Sequence, residues 1–184
     1  MFTPSLKGRR PVLVYIHGGG FAGGSGVIAL AADAFAREED VVLVSVNHRL
    51  NVFGYTCLAE FSEKYSDSGN AGQLDLIASL EWVRDNIANF GGDPKNVTIF
   101  GESGGGGKVS ALMAMPAANG LFEKAIVESG SSLRVSTREQ AGIRAKALLE
   151  KFGLSASRVD DLQKKRRREA LRCRRIEFGR RSRG

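Results

Sequence analysis

The chain is short of the residues that anchor chemistry or cross-links. Two cysteines, Cys57 and Cys173, give no disulfide framework and no cysteine-based metal site. Two histidines, His17 and His48, are all the imidazole there is. No apolar run reaches the ~18–20 residues that span a bilayer, so no transmembrane segment is read. The opening MFTPSLKGRR has no apolar stretch of the signal-peptide kind, and as a genuine N-terminus it reads as cytoplasmic. An excess of basic charge is also missing from most of the chain. Residues 163–184 hold eleven Lys or Arg and two acids, a balance of +9, whereas residues 1–162 balance at −2. The body is mildly acidic, so nucleic acid is not expected as its partner.

What is present is a core and a pattern. Hydrophobic residues make up 42% of the 184, which excludes wholesale disorder and suits one domain or a piece of a larger one. Val12–Ile16 and Val41–Val46 are continuous apolar runs rich in β-branched residues, and Val97–Phe100 and Ala125–Val127 are shorter ones. Unalternating runs of this kind predict strands buried on both faces, as in a parallel sheet.

Helical stretches lie between the strands. Residues 27–38 are Ala-rich, and residues 71–89 carry the stripe Leu76, Leu80, Val83, Ile87, continued by Phe90. Residues 104–115 put Val109, Leu112 and Met113 on one side before Pro116. Ser136 and Glu139 have capping-box spacing for a helix that Gly153 closes. The alternation predicts an α/β fold: a mostly parallel sheet, helices on both faces, and ligands at the carboxyl ends of the strands.

Gly101-Glu102-Ser103-Gly104-Gly105 follows a predicted strand and opens a predicted helix, the setting that G-x-S-x-G requires. A sharp turn there lifts the serine hydroxyl clear of the sheet and brings strand and helix too close for side chains at positions 101 and 105. The plainer reading is a glycine-rich helix start capped by serine. His17-Gly18-Gly19-Gly20 ends the first strand, where glycines let backbone N–H groups face an oxyanion. The plainer reading there is a tight turn.

Two phosphate-site readings fail on particular residues. Gly18 to Gly23 fits G-x-G-x-x-G, but the next strand ends Val46-Asn47-His48, without the ribose-binding acid. Gly107-Lys108 suggests a P-loop, but Glu102 stands at its first glycine and Val109 where Ser or Thr is needed. No cofactor or metal is expected. In a nucleophile-elbow fold the triad runs Ser, acid, His, yet both histidines precede Ser103. His17 reads as ordering the glycine loop and His48 as bracing the strand end.

Taken together these segments resemble the type-B carboxylesterases, a family of α/β-hydrolase fold, in its bacterial form. The likeness rests on Phe90 through Gly105, on Asn47 through Tyr55, on Gly69 through Asp75 and on Leu121 through Ser131, and it covers roughly residues 10–162. It implies Ser103 as nucleophile and the N–H groups of Gly19, Gly20 and Gly104 as oxyanion hole. It further implies Glu102 as a buried acid beside the nucleophile, Ser129 as a hydrogen-bonding group near the triad, and a small carboxylic ester as substrate. The family's later acid and His have no counterpart, so weak or absent activity of the chain alone is expected.

Members of the family are longer, so the chain reads as truncated on both sides, with Phe2-Thr3-Pro4 as the end of an upstream section. The change of composition at Lys164 reads as a frame shift or gene-model end near residue 163, the tail as disordered. A polybasic arm for nucleic acid or anionic lipid is the alternative for that tail. A non-catalytic interaction module of the same fold is the alternative for the body. Unpaired sheet edges predict poor solubility in isolation.

Overall fold

The computed structural model describes residues 1–27, 32–131 and 133–165. Cys173, most of the basic stretch and the early part of the Ala-rich segment lie outside the described residues.

Four parallel strands form the sheet. They are β1 (Arg10–Ile16), β2 (Val42–Val46), β3 (Gly92–Glu102) and β4 (Lys124–Glu128), in the order β2-β1-β3-β4. The connections carry α1 (Ala32–Glu38), α2 (Asn51–Tyr55), α3 (Ala71–Asn86) and α4 (Gly104–Ala114), and α5 (Arg138–Lys151) follows β4. The chain goes from β1 outward to β2, then returns to the other side of β1 for β3 and on to β4. The carboxyl ends of β1 and β3 are therefore neighbours at a topological switch point, where loops leave in opposite directions and open a crevice.

The chain divides into two compact units. The first is residues 1–48 with 73–133, and it holds the sheet. Val12, Val14 and Ile16 of β1, Val97 and Ile99 of β3, the α3 stripe Leu76, Leu80 and Val83 with Ile87 in the 3-10 turn that follows it, and Val109 and Leu112 of α4 make one buried cluster. Each large side chain removed from water there contributes about 1.5–3 kcal/mol.

Burial on both faces holds for Val42, Leu43 and Val44 of β2 and for Val97, Thr98 and Ile99 of β3, but not for β1 or β4. β1 alternates, with Val12, Val14 and Ile16 buried and Leu13 and Tyr15 half-buried. Tyr15 meets Phe100 on the less covered face at a ring-centroid distance of 5.2 Å. A mixed aliphatic and aromatic run reads as continuous in sequence although its aromatic members face the thinner layer. Met113 also departs: it is exposed, because α4 turns Val109 and Leu112, with its glycines, toward the sheet. At one sheet edge Phe2 exchanges two backbone hydrogen bonds with Leu43, of 2.8 and 2.9 Å, as an isolated antiparallel bridge. At the other, β4 pairs with β3 alone among the described strands.

The second unit is residues 49–72 with 134–184, and its described part packs Leu58, Ala145, Leu149, Leu154 and Val159 together. The capping box of α5 is Thr137 with Gln140, one position beyond the Ser136–Glu139 pair read from sequence. Both pairs have the required spacing, and the geometry selects the one whose first residue sits in extended backbone, φ −67° and ψ 160°. Among the described residues no helix is long and apolar enough to cross a membrane.

Candidate active site

Ser103 sits between the end of β3 and the start of α4, at φ 54° and ψ −118°. A serine at such angles costs of order 1–3 kcal/mol and holds only where the surroundings over-determine it. Here they do. The Ser103 N–H donates to the Glu128 carbonyl at 2.8 Å, and its carbonyl accepts from the Gly107 N–H at 3.1 Å. A Cβ on Gly101 would come within 2.6 Å of both the Ile16 carbonyl oxygen and the Gly105 carbonyl carbon. A Cβ on Gly105 would overlap that same Ile16 oxygen, and one on Gly130 would overlap the Ser103 carbonyl. The plainer reading of a capping serine fails, because the Ser103 side chain makes no cap hydrogen bond.

The turn after β1 lies directly against this elbow. Gly104 is backbone to backbone with Gly20, whose N, Cα and O a Cβ on Gly104 would overlap. A Cβ on Gly18 would stand 2.9 Å from the Glu102 carbonyl oxygen and 3.7 Å from Ser103 Cβ. Gly19 and Gly20 have φ of +85° and +61°, the region that favours glycine. The structure thus brings Gly19, Gly20, Ser103 and Gly104 into one place. It leaves Glu102 and Ser129 at the surface: both are exposed, contrary to a buried acid at Glu102. Glu102 is the last residue of β3, at the carboxyl end of the sheet, paired in register with the equally exposed Glu128 of β4. Ser129 has φ 64° and carries the chain away from β4 beneath the elbow.

The two imidazoles stack on each other, with ring centroids 4.7 Å apart and planes at 27°. His17 Nδ1–H donates to the Gly18 carbonyl at 2.8 Å. His17 Nε2 and both ring nitrogens of His48 are buried without a hydrogen-bond partner. No hydrogen bond joins either ring to the Ser103 hydroxyl. Burial, helped by the Lys108 charge, holds His17 below the usual imidazole range despite its bond to Gly18. His48 is pushed down to about 4, first by burial, then by Lys108 and His17, against an opposing pull from Asp75.

Keeping such a group neutral in the fold costs nothing above pH ~6.5, where the unfolded chain is neutral too; stability is lost progressively as pH falls from there toward the folded value of about 4, and the loss is complete below it. Acidification from pH 7 to 4.5 is expected to cost the parent about 1–2 kcal/mol more than His48→Phe, after allowance for solvent screening. Urea midpoints of the two proteins at both pH values measure this, and equal losses contradict it.

Two residues that sequence reasoning did not place at the site lie beside it. Lys108 is fully buried, and its ammonium donates to the carbonyls of His17 at 3.0 Å and Gly20 at 2.7 Å. Gln73, also buried, donates from Nε2 to the Lys108 carbonyl at 3.1 Å. The available signal was a lysine set beside Val109 and Leu112 on the apolar side of a helix, where a solvated charge has no place.

A strained serine turn at the switch point of a parallel sheet, faced by a glycine loop from the adjacent strand, defines an α/β-hydrolase fold. Comparison with known proteins agrees and is more specific. The family model described as the carboxylesterase family matches residues 1–177, and the chain belongs to that family. It is 48% identical over 164 residues to the para-nitrobenzyl esterase of Bacillus subtilis (strain 168), covering 88% of this chain and 33% of that protein. It is 43% identical over 159 residues to liver carboxylesterase 1 of Oryctolagus cuniculus, covering 85% of this chain and 27% of that one. Among solved structures, the Geobacillus stearothermophilus carboxylesterase EST55 superposes with a TM-score of 0.88 at 44% identity, over 94% of this chain and 37% of that chain. The chain spans about a third of the length of these relatives.

Proposed function

We propose that the chain carries the nucleophile and oxyanion hole of a serine hydrolase acting on small carboxylic esters. The observation that carries this is the Ser103 backbone at φ 54°, held by Gly101, Gly105 and Gly130 beside the Gly18–Gly20 turn. The Ser103 hydroxyl attacks the ester carbonyl, and the N–H groups of Gly19, Gly20 and Gly104 receive the negative charge that develops on its oxygen. Collapse of the tetrahedral intermediate breaks the ester C–O bond, the alcohol departs with the proton given up by the Ser103 hydroxyl and relayed by solvent water, and a second water releases the acyl group from Ser103 as the carboxylic acid. The N-terminus of α4, which opens at Gly104, adds its partial positive charge at the same point. The family relatives named as carboxylesterases support this chemistry.

Among the described residues neither imidazole is placed as a general base for Ser103. Both histidines precede Ser103, and neither bonds to its hydroxyl. Hydrolases deprived of a triad member keep of order 10³–10⁴-fold catalysis over water from the oxyanion hole and binding. The expected result is p-nitrophenyl acetate turnover at least about 10³-fold below that of the Bacillus esterase assayed alongside, with the remainder removed by Ser103→Ala. Turnover equal to the relative's and lost in Ser103→Ala would show a base within this chain. Equal rates for parent and variant would remove Ser103 from the chemistry.

A further inference from the structure

Among the described residues Lys108 is the largest side chain wholly out of water. A buried ammonium is costly unless it is paired or hydrogen-bonded. Lys108 makes no ion pair among the described residues. Its compensation is two charge-assisted hydrogen bonds, to the carbonyls of His17 and Gly20, with the Phe21 ring face 5.4 Å from Nζ. Burial lowers its ammonium to about 8, so it remains mainly charged at neutral pH. An apolar residue would fill the same place beside Val109 and Leu112 without this cost, so the significance of the charge lies in what it holds.

Its two acceptors bracket the glycine stretch. The His17 carbonyl belongs to the peptide entering Gly18, and the Gly20 carbonyl to the peptide leaving Gly20. Between them lie three glycines, the residues with the most backbone freedom to lose. Two hold positive φ, and within the turn the Gly23 N–H reaches Gly19 with a long bond of 3.2 Å. Fixing both flanking peptides leaves the segment few ways to turn its N–H groups.

We propose that Lys108 is the positioning residue of the oxyanion loop, its ammonium fastening both ends of Gly18–Gly20 from inside α4 so that the loop's N–H groups are aimed beside Ser103. Lys108 touches no reacting atom; it acts through the backbone. What those N–H groups hold rests on the esterase reading, whereas the fastening itself does not.

Hydrogen–deuterium exchange on the full chain at pH 7 separates the two. In Lys108→Met the amides of residues 18–24 exchange at least tenfold faster while those of β1 and β3 keep the parent's protection, and Lys108→Arg, which retains charge and donors, restores the loop. Labelling of Ser103 by a fluorophosphonate follows the same order, at least tenfold slower in Lys108→Met and recovered in Lys108→Arg. A parent chain that takes no label overturns the esterase reading, and the exchange comparison still decides the fastening. If Lys108→Met does not fold, Lys108→Gln, a neutral donor, takes its place with the same criteria. Unchanged loop exchange overturns the proposal. So does exchange that rises equally in loop and sheet, since Lys108 would then be core packing and nothing more.

Discussion

Gly105→Ala removes the cooperative melting transition of the chain, while Gly23→Ala melts as the parent does. The added carbon at position 105 overlaps the carbonyl oxygen of Ile16 and comes within 3.2 Å of the His17 carbonyl group, all of it backbone of β1 and its exit turn. No side chain is there to swing aside. Relief requires α4 to lift from the sheet, which withdraws Val109 and Leu112 from the central cluster. Overpacking a well-packed core typically costs about 1–3 kcal/mol, and a rigid backbone obstacle puts this change at or above the top of that range. Against a total stability of about 5–15 kcal/mol for an ordinary domain, such a loss is decisive. Gly23 lies in the neighbouring turn, and a Cβ there meets nothing within 4 Å. Thermal melts followed by circular dichroism distinguish the two, and a parent-like transition in Gly105→Ala contradicts the close approach of α4 to β1.

The same close approach explains why the elbow was legible in the sequence. Gly101 and Gly105 flank a serine between an apolar β-branched run and a helix, and few backbones other than a tight strand-to-helix turn need glycine at both places. The helix stripe from Leu76 to Ile87 was legible for a similar reason, since its period matches the turn of a helix and all four residues are buried. Other features were hidden because their cause lies in tertiary contacts. The half-cover over Tyr15 and Phe100 depends on what packs on that face, which a local run does not encode. The short helix α2 opens at Asn51, at φ 58°, and no apolar period announces a helix of that length.

Lys108 was the instructive failure. Read along the chain, it followed Gly107 and was weighed only as a phosphate-binding lysine. Its role depends on carbonyls 88 and 91 residues earlier, which only the pairing of β1 with β3 brings within reach. Glu102 differs from what the likeness implies. Its expected burial came with the family likeness, but its place at the carboxyl end of β3 leaves it in solvent here.

These residues make one functional argument. The sheet order sets the ends of β1 and β3 side by side, the glycines allow α4 to close over them, and Lys108 holds the loop that faces the serine. On the proposed reading the chemistry rests on the hydroxyl of Ser103, singled out by its backbone and by the N–H groups around it. The most direct test exposes the full chain to excess fluorophosphonate at pH 8, with intact-mass detection and peptide mapping. A single adduct is predicted, located on Ser103 and absent from Ser103→Ala. Adducts scattered over other serines and tyrosines, or none on Ser103 after hours of exposure, would contradict an oxyanion hole at this elbow.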